Sequence, residues 1–177
     1  IRICLVGSEM CIRDRGKIQF ADFYDADEGI AKIFYRPNKD DSWTEIYRAN
    51  TEDLATDNFY VGGVDKKDGN LFIYSNFDSN FSYISKFDVE TGKLSKPIYS
   101  KKDHEIAALE VEDGEIKMVC YERFTRECDL FDPEEKGIIK ALKKSFPDHY
   151  INISSYNKDF SRFIATIRNA SSPAKYF

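Results

Sequence analysis

From Lys17 onward, short apolar and aromatic runs alternate with polar turns, and one pattern keeps returning. An acidic or polar turn closing on Gly or Ser runs straight into an aromatic-rich strand. Asp25-Ala26-Asp27-Glu28-Gly29 leads into Ile30 to Tyr35, and Asp65 to Gly69 leads into Asn70 to Tyr74. Glu112-Asp113-Gly114 leads into Glu115 to Tyr121, and Asn157 to Ser161 into Arg162 to Ile167. The turn ends Gly29, Gly69, Gly114 and Ser161 are 40, 45 and 47 residues apart. Asp and Asn side chains bond their own backbone and Gly accepts a positive φ, so each turn reverses the chain between two strands. A second element keeps phase with the first: Tyr47, Phe87, Phe131 and Phe177 follow these turn ends by 18, 18, 17 and 16 residues.

A period of about 40–50 residues holding about four short antiparallel strands is the sequence signature of a β-propeller blade. The expected fold is therefore all-β, a partial β-propeller of about four antiparallel blades. The pattern places the blades at 17–50, 59–100, 106–146 and 150–177, the last incomplete. In the second blade it predicts strands near 59–64, 70–76, 83–88 and 96–99. One short helix is expected over 134–145, because Ile138, Ile139 and Leu142 share a face at helical spacing. Glu134 and Glu135 at its start and Lys140, Lys143 and Lys144 towards its end suit the helix dipole, and Pro147 stops it.

Residues 1–15 break the pattern. They show neither strand alternation nor a helical stripe that continues downstream, and Ile3 to Val6 is too short for a signal-peptide core. The run Cys4 to Arg15 resembles a translated adaptor peptide, with a divergent first strand as the alternative. The expectation is a non-native or disordered segment, with the evolved chain beginning near Gly16 and truncated at both ends.

Composition narrows the function classes. Twenty-six basic against 31 acidic side chains give a net charge of −5 with the signs interspersed, unlike the basic face of a nucleic-acid platform. Apolar runs fall far short of the ~20 residues that span a bilayer, so no membrane span is expected. Fourteen Phe and 11 Tyr against 9 Gly and 5 Pro favour pleated, half-buried surfaces.

The chemistry-bearing residues form no catalytic or metal constellation. Ser8 follows Gly7 but lacks the second Gly of a nucleophile elbow. His104 and His149 sit beside acids in predicted loops and read as exposed. Cys120 and Cys128 lie on two arms of a hairpin turning near Phe124-Thr125. Pairing Tyr121 with Cys128 sends the two sulfurs to opposite faces, so they read as packed thiols. No further Cys or His stands at zinc spacing. Asp25, Asp27, Glu28, Asp65 and Asp68 lack the ligand ladder of a calcium loop and read as solvated hairpin tips. The aromatic stripe Phe72, Tyr74, Phe77, Phe81, Tyr83 and Phe87 reads as blade-to-blade packing. No catalytic residue, metal or cofactor is expected, and by these residues alone the chain is a scaffold or binding module.

The order of several weak motifs is more specific than any one of them. They are His104-Glu105-Ile106, Met118 to Glu122, Asp129-Leu130-Phe131-Asp132 before the helix and Leu142 through Phe146-Pro147. They continue through Ile151 to Ser155, Asp159, Ile164 to Ile167, Ser171-Ser172-Pro173 and Tyr176-Phe177, with Asn70 to Gly92 upstream. In this order they resemble the propeller of prolyl-oligopeptidase-family serine peptidases, particularly the acylaminoacyl-peptidase and dipeptidyl-aminopeptidase-like branch. The chain departs from that pattern at Asn169-Ala170, where an Asp is commoner, and at Ala174, where Gly is usual. The resemblance implies that the catalytic serine, aspartate and histidine belong to a C-terminal α/β-hydrolase domain, the chain's missing partner. It also implies that the propeller restricts entry to short peptides. The competing expectation is a stand-alone propeller that binds a protein or small ligand.

Overall fold

The computed structural model describes residues 2–4, 19–50, 52–53, 58–122, 126–157 and 161–177. The chain divides into two compact units, Ile1–Cys128 and Asp129–Phe177. Among the described residues the fold is mostly β, as expected, in several antiparallel sheets, none of them closed, with one short helix.

In the first unit, a first sheet orders β1 (Arg2–Cys4), β2 (Phe20–Asp25), β3 (Ile30–Tyr35) and β4 (Thr44–Asn50) side by side. Of residues 1–15, expected to be non-native or disordered with a divergent first strand as the alternative, only Arg2–Cys4 is among the described residues. Arg2–Cys4 pairs with Asp22 to Tyr24, so the outer edge of β2 is hydrogen-bonded instead of bare. The remainder of that segment lies outside the described residues. The second sheet runs β5 (Phe59–Val64), β6 (Leu71–Ser75), β7 (Tyr83–Asp88) and β8 (Lys93–Leu94), with β9 (Tyr99–Ser100) also on β7. The single strand expected over 96–99 is thus two short ones. Between them Ser95 Oγ accepts from Lys86 N and donates to the Lys96 carbonyl, and Pro97 has no N–H for the ladder.

The third sheet is β10 (Ile106–Glu112), β11 (Glu115–Glu122) and β12 (Arg126–Leu130). Strands β6 and β7 pair without a register break, so successive side chains go to opposite faces and the second sheet has two apolar faces. Phe59, Leu71, Ile73 and Phe87 pack with Tyr35, Phe20, Ile33, Ile46 and Tyr47 of the first sheet. Tyr47 stacks on Phe59 at 4.4 Å and Phe59 meets Phe87 edge-on at 5.8 Å. On the opposite face Ile84 and Tyr74 pack with Ile106, Val119, Leu109 and Ile116 of the third sheet. The middle sheet is therefore covered on both sides by the sheets that precede and follow it in the chain.

Close approach at the second of these contacts depends on Gly62 and Gly63. A Cβ on Gly62 would stand 2.2 Å from Leu109 Cδ2, and one on Gly63 2.9 Å from Val111 Cγ1. The turn glycines Gly29, Gly69 and Gly114 have φ of 64°, 75° and 70°, as the repeat required.

The second unit contains α1 (Pro133–Ser145) and a three-stranded meander of β13 (Tyr150–Tyr156), β14 (Phe163–Asn169) and β15 (Ser172–Tyr176). Asp132 caps the helix by accepting from the amides of Glu134 and Glu135, and Pro133 occupies the first turn. Ile151, Ala165 and Ile167 are buried on one face of the sheet, whereas Ile164 and Tyr176 remain 49% and 70% exposed.

Candidate functional site

The acidic turns are built from their own side chains. Asp25 Oδ1 accepts from the amides of Asp27 and Glu28, and Asp88 Oδ1 from those of Glu90 and Thr91. Asp65 Oδ1 accepts from Lys67 N, and Asp68 Oδ1 from Asn70 N. The second turn departs from the expected solvated tip, because Asp65 is only 3% exposed. Lys86, projecting from β7, places its ammonium 2.5 Å from Asp65 and 2.7 Å from Asp68. The cation that these carboxylates face is supplied by the chain itself. Bonding to Lys86 holds the Asp68 carboxyl below the ordinary range, and bonding to Asp65 and then Asp68 raises Lys86. The neighbouring turn joins the same cluster. Lys66 N donates to the Gly114 carbonyl and its ammonium lies 2.8 Å from Glu115, which lowers the Glu115 carboxyl.

A second polar tie crosses between the second and third sheets. Glu105, just before β10, accepts from both the amide and the hydroxyl of Ser82, which is 1% exposed. Burial, then Tyr60 and Glu105, raise the nearby Tyr74 phenol. Neither Ser75 nor Ser85, both fully buried, has a hydroxyl hydrogen bond among the described residues. Both lie on the strand face that carries Leu71, Ile73 and Phe87, and Ser85 stands directly opposite Ile73.

Both histidines lie in loops, as expected, but neither is exposed. Both are half-buried, with ring contacts to large aromatics. His104 lies edge-on to Tyr121 at 5.4 Å, and its Nδ1 meets the Lys102 carbonyl. Tyr121 also takes the Lys101 ammonium over its ring at 4.2 Å and donates its hydroxyl to Glu127. In the second unit, Asn169 organises a turn. Its Oδ1 accepts from Ser171 N, Ser171 Oγ and Ser172 Oγ, which leaves its amide nitrogen to face His149 Nε2 at 3.1 Å. That order, hydroxyl to amide to imidazole, interposes a group that cannot relay a proton as a base would. Asn169, noted in the sequence only as a departure from a family pattern, is the residue that organises this turn.

The cysteines correct the sequence reading most directly. Cys120 and Cys128 form a disulfide, with their Cα atoms 3.9 Å apart. Tyr121 bonds Glu127 and Glu122 bonds Arg126, so three successive pairs are centred on residue 124. The expected hairpin was centred half a residue later, pairing Tyr121 with Cys128, and that one-residue slip turns the second cysteine to the wrong face. Directly opposite positions on paired strands bring the two sulfurs together.

Among the described residues no three His, Cys, Asp or Glu side chains converge as metal ligands. No helix among them is long and apolar enough to cross a membrane. Ser8, Cys11 and Asp159 lie outside the described residues. Comparison with protein-family models, curated proteins and solved structures returns no match. What these residues can do chemically is tie hairpins and sheets together, through Lys86, Ser82–Glu105 and the cystine.

Proposed function

We propose that the chain is a non-catalytic, propeller-type scaffold that gates the access of short peptides to a serine peptidase centre on a separate α/β-hydrolase domain of its parent. The observation that supports this reading is the second sheet, packed on both faces by the sheets before and after it in the chain. Successive antiparallel meanders stacked in chain order are how propeller blades assemble, and the polar clusters serve that stacking. In this role the blades contribute shape and exclusion, and the nucleophile, acid and base belong to the hydrolase domain.

The experiment has two arms. The parent reading frame, recovered beyond Phe177, is expected to encode a Gly-x-Ser-x-Gly elbow within the following few hundred residues. The isolated chain is expected to leave short peptide anilides uncleaved and to take no label from a fluorophosphonate. A frame holding further blades and then a stop codon would replace this reading with a stand-alone binding module. Labelling of a serine in this chain would overturn its non-catalytic character.

A further inference from the structure

We propose that the Cys120–Cys128 cystine is a reversible redox clasp that fastens β12 to β11. The two strands it joins are unequally anchored. Strand β11 lies in the middle of its sheet, with Val119, Cys120 and Tyr121 at 0%, 3% and 5% exposure. Strand β12 is the edge strand of that sheet, and none of its five residues is fully buried. Across the same two strands Tyr121 donates to Glu127, and the Glu122–Arg126 pair is about half exposed on both side chains, where ion pairs contribute little. Breaking the sulfur bridge therefore leaves β11 in place and makes β12 the strand that can part. The boundary between the two compact units falls inside β12, directly after Cys128. The clasp thus sits where the chain leaves one unit for the next.

Cys128 is half-buried and Cys120 fully buried, so the sulfur offered to a reductant is that of Cys128. The reductant required is a dithiol. One of its thiolates attacks Cys128 Sγ, forming a mixed disulfide and releasing Cys120 as a thiolate that takes up a proton. The second thiol of the reductant then attacks its own bound sulfur and releases Cys128, likewise protonated. The cystine gains two electrons and two protons, and the dithiol becomes a disulfide.

The test is amide hydrogen exchange on the full chain, oxidised, reduced with dithiothreitol and then reoxidised, with alkylation counting the free thiols. Reduction is expected to free the Cys120 and Cys128 thiols, identified by mapping the alkylated peptides because the chain also carries Cys4 and Cys11, and to accelerate exchange over residues 126–130 at least about tenfold, with β5 to β7 unchanged and the effect reversed on reoxidation. The Cys120→Ser/Cys128→Ser chain should match the reduced state; if it fails to fold, the redox cycle on the unaltered chain decides alone. Unchanged exchange in β12 overturns the proposal. So does loss of protection throughout β5 to β7, which would make the bond a structural staple, or alkylation of both thiols before any reductant is added.

Discussion

The second and fourth sheets are made of the same material and end in different states. Both are antiparallel meanders of aromatic and β-branched strands reversed by Asp- or Asn-containing turns. In the second, Leu71, Ile73 and Ile84 are fully buried, although Ile73 and Ile84 point to opposite faces. In the fourth, burial stops at one face: Ile167 is 2% exposed and its sequence neighbour Ile164 but two is 49% exposed. Strand chemistry is the same on both sides of this comparison. What makes a sheet a core is a neighbour on each face, with glycines where that neighbour must come close.

The largest test of this contrast is Ile73→Ala. It removes a fully buried side chain between two sheets and should cost about 3 kcal/mol, read as a fall in denaturant midpoint. A cost below that of an exposed substitution would break the comparison. Gly62→Ala asks whether proximity is required: its Cβ meets Leu109 within 2.2 Å, and a loss of about 2 kcal/mol is expected. Restoring room with the pair Gly62→Ala and Leu109→Ala should recover less than the full loss, because the second change opens the apolar contact itself.

Smaller effects should follow Lys86→Gln, and these should depend on pH. Asp68 is held below its ordinary range, so its contribution is present at neutral pH and is lost as the pH falls through the lowered value. Lys86 is raised, so its contribution is complete below the ordinary lysine range and is lost as the pH rises through the raised value. The difference in unfolding midpoint between Lys86→Gln and the parent should be flat from about pH 5 to 9 and shrink at both extremes. A difference that grows towards acid would remove the assigned ion pairing. Least of all, Ile164→Ala in the fourth sheet should stay within about 0.5 kcal/mol, and a cost near that of Ile73→Ala would show that its face is covered.

The repeat made much of this fold legible. Gly29, Gly69 and Gly114 stand where left-handed backbone is needed, and the helix predicted over 134–145 spans Pro133–Ser145. These features are local, set by two to five adjacent residues. The features that escaped depend on register between segments. The cystine turned on the centre of one hairpin. Asp65 looks solvated in the sequence because the lysine that covers it lies 21 residues away and reaches it across the β6–β7 pairing. The split at Ser95 was hidden because Tyr99 and Ile98 look like strand residues, while the backbone must first pass Pro97. Of the polar clusters, Ser82–Glu105 carried no sequence signal: a Ser and a Glu 23 residues apart match no motif.

The order of the strands also bears on how the molecule forms. Among the described residues, every strand pairing except β7–β9 joins strands next to each other along the chain. Hairpins of this kind close in about 1–10 μs, far faster than a ribosome adds residues. Each meander can therefore be complete before the following one has been synthesised, and its finished face then serves as the template on which the next one settles. Folding of the first unit becomes a vectorial process, in which an early error in one sheet is inherited by the sheet laid down after it.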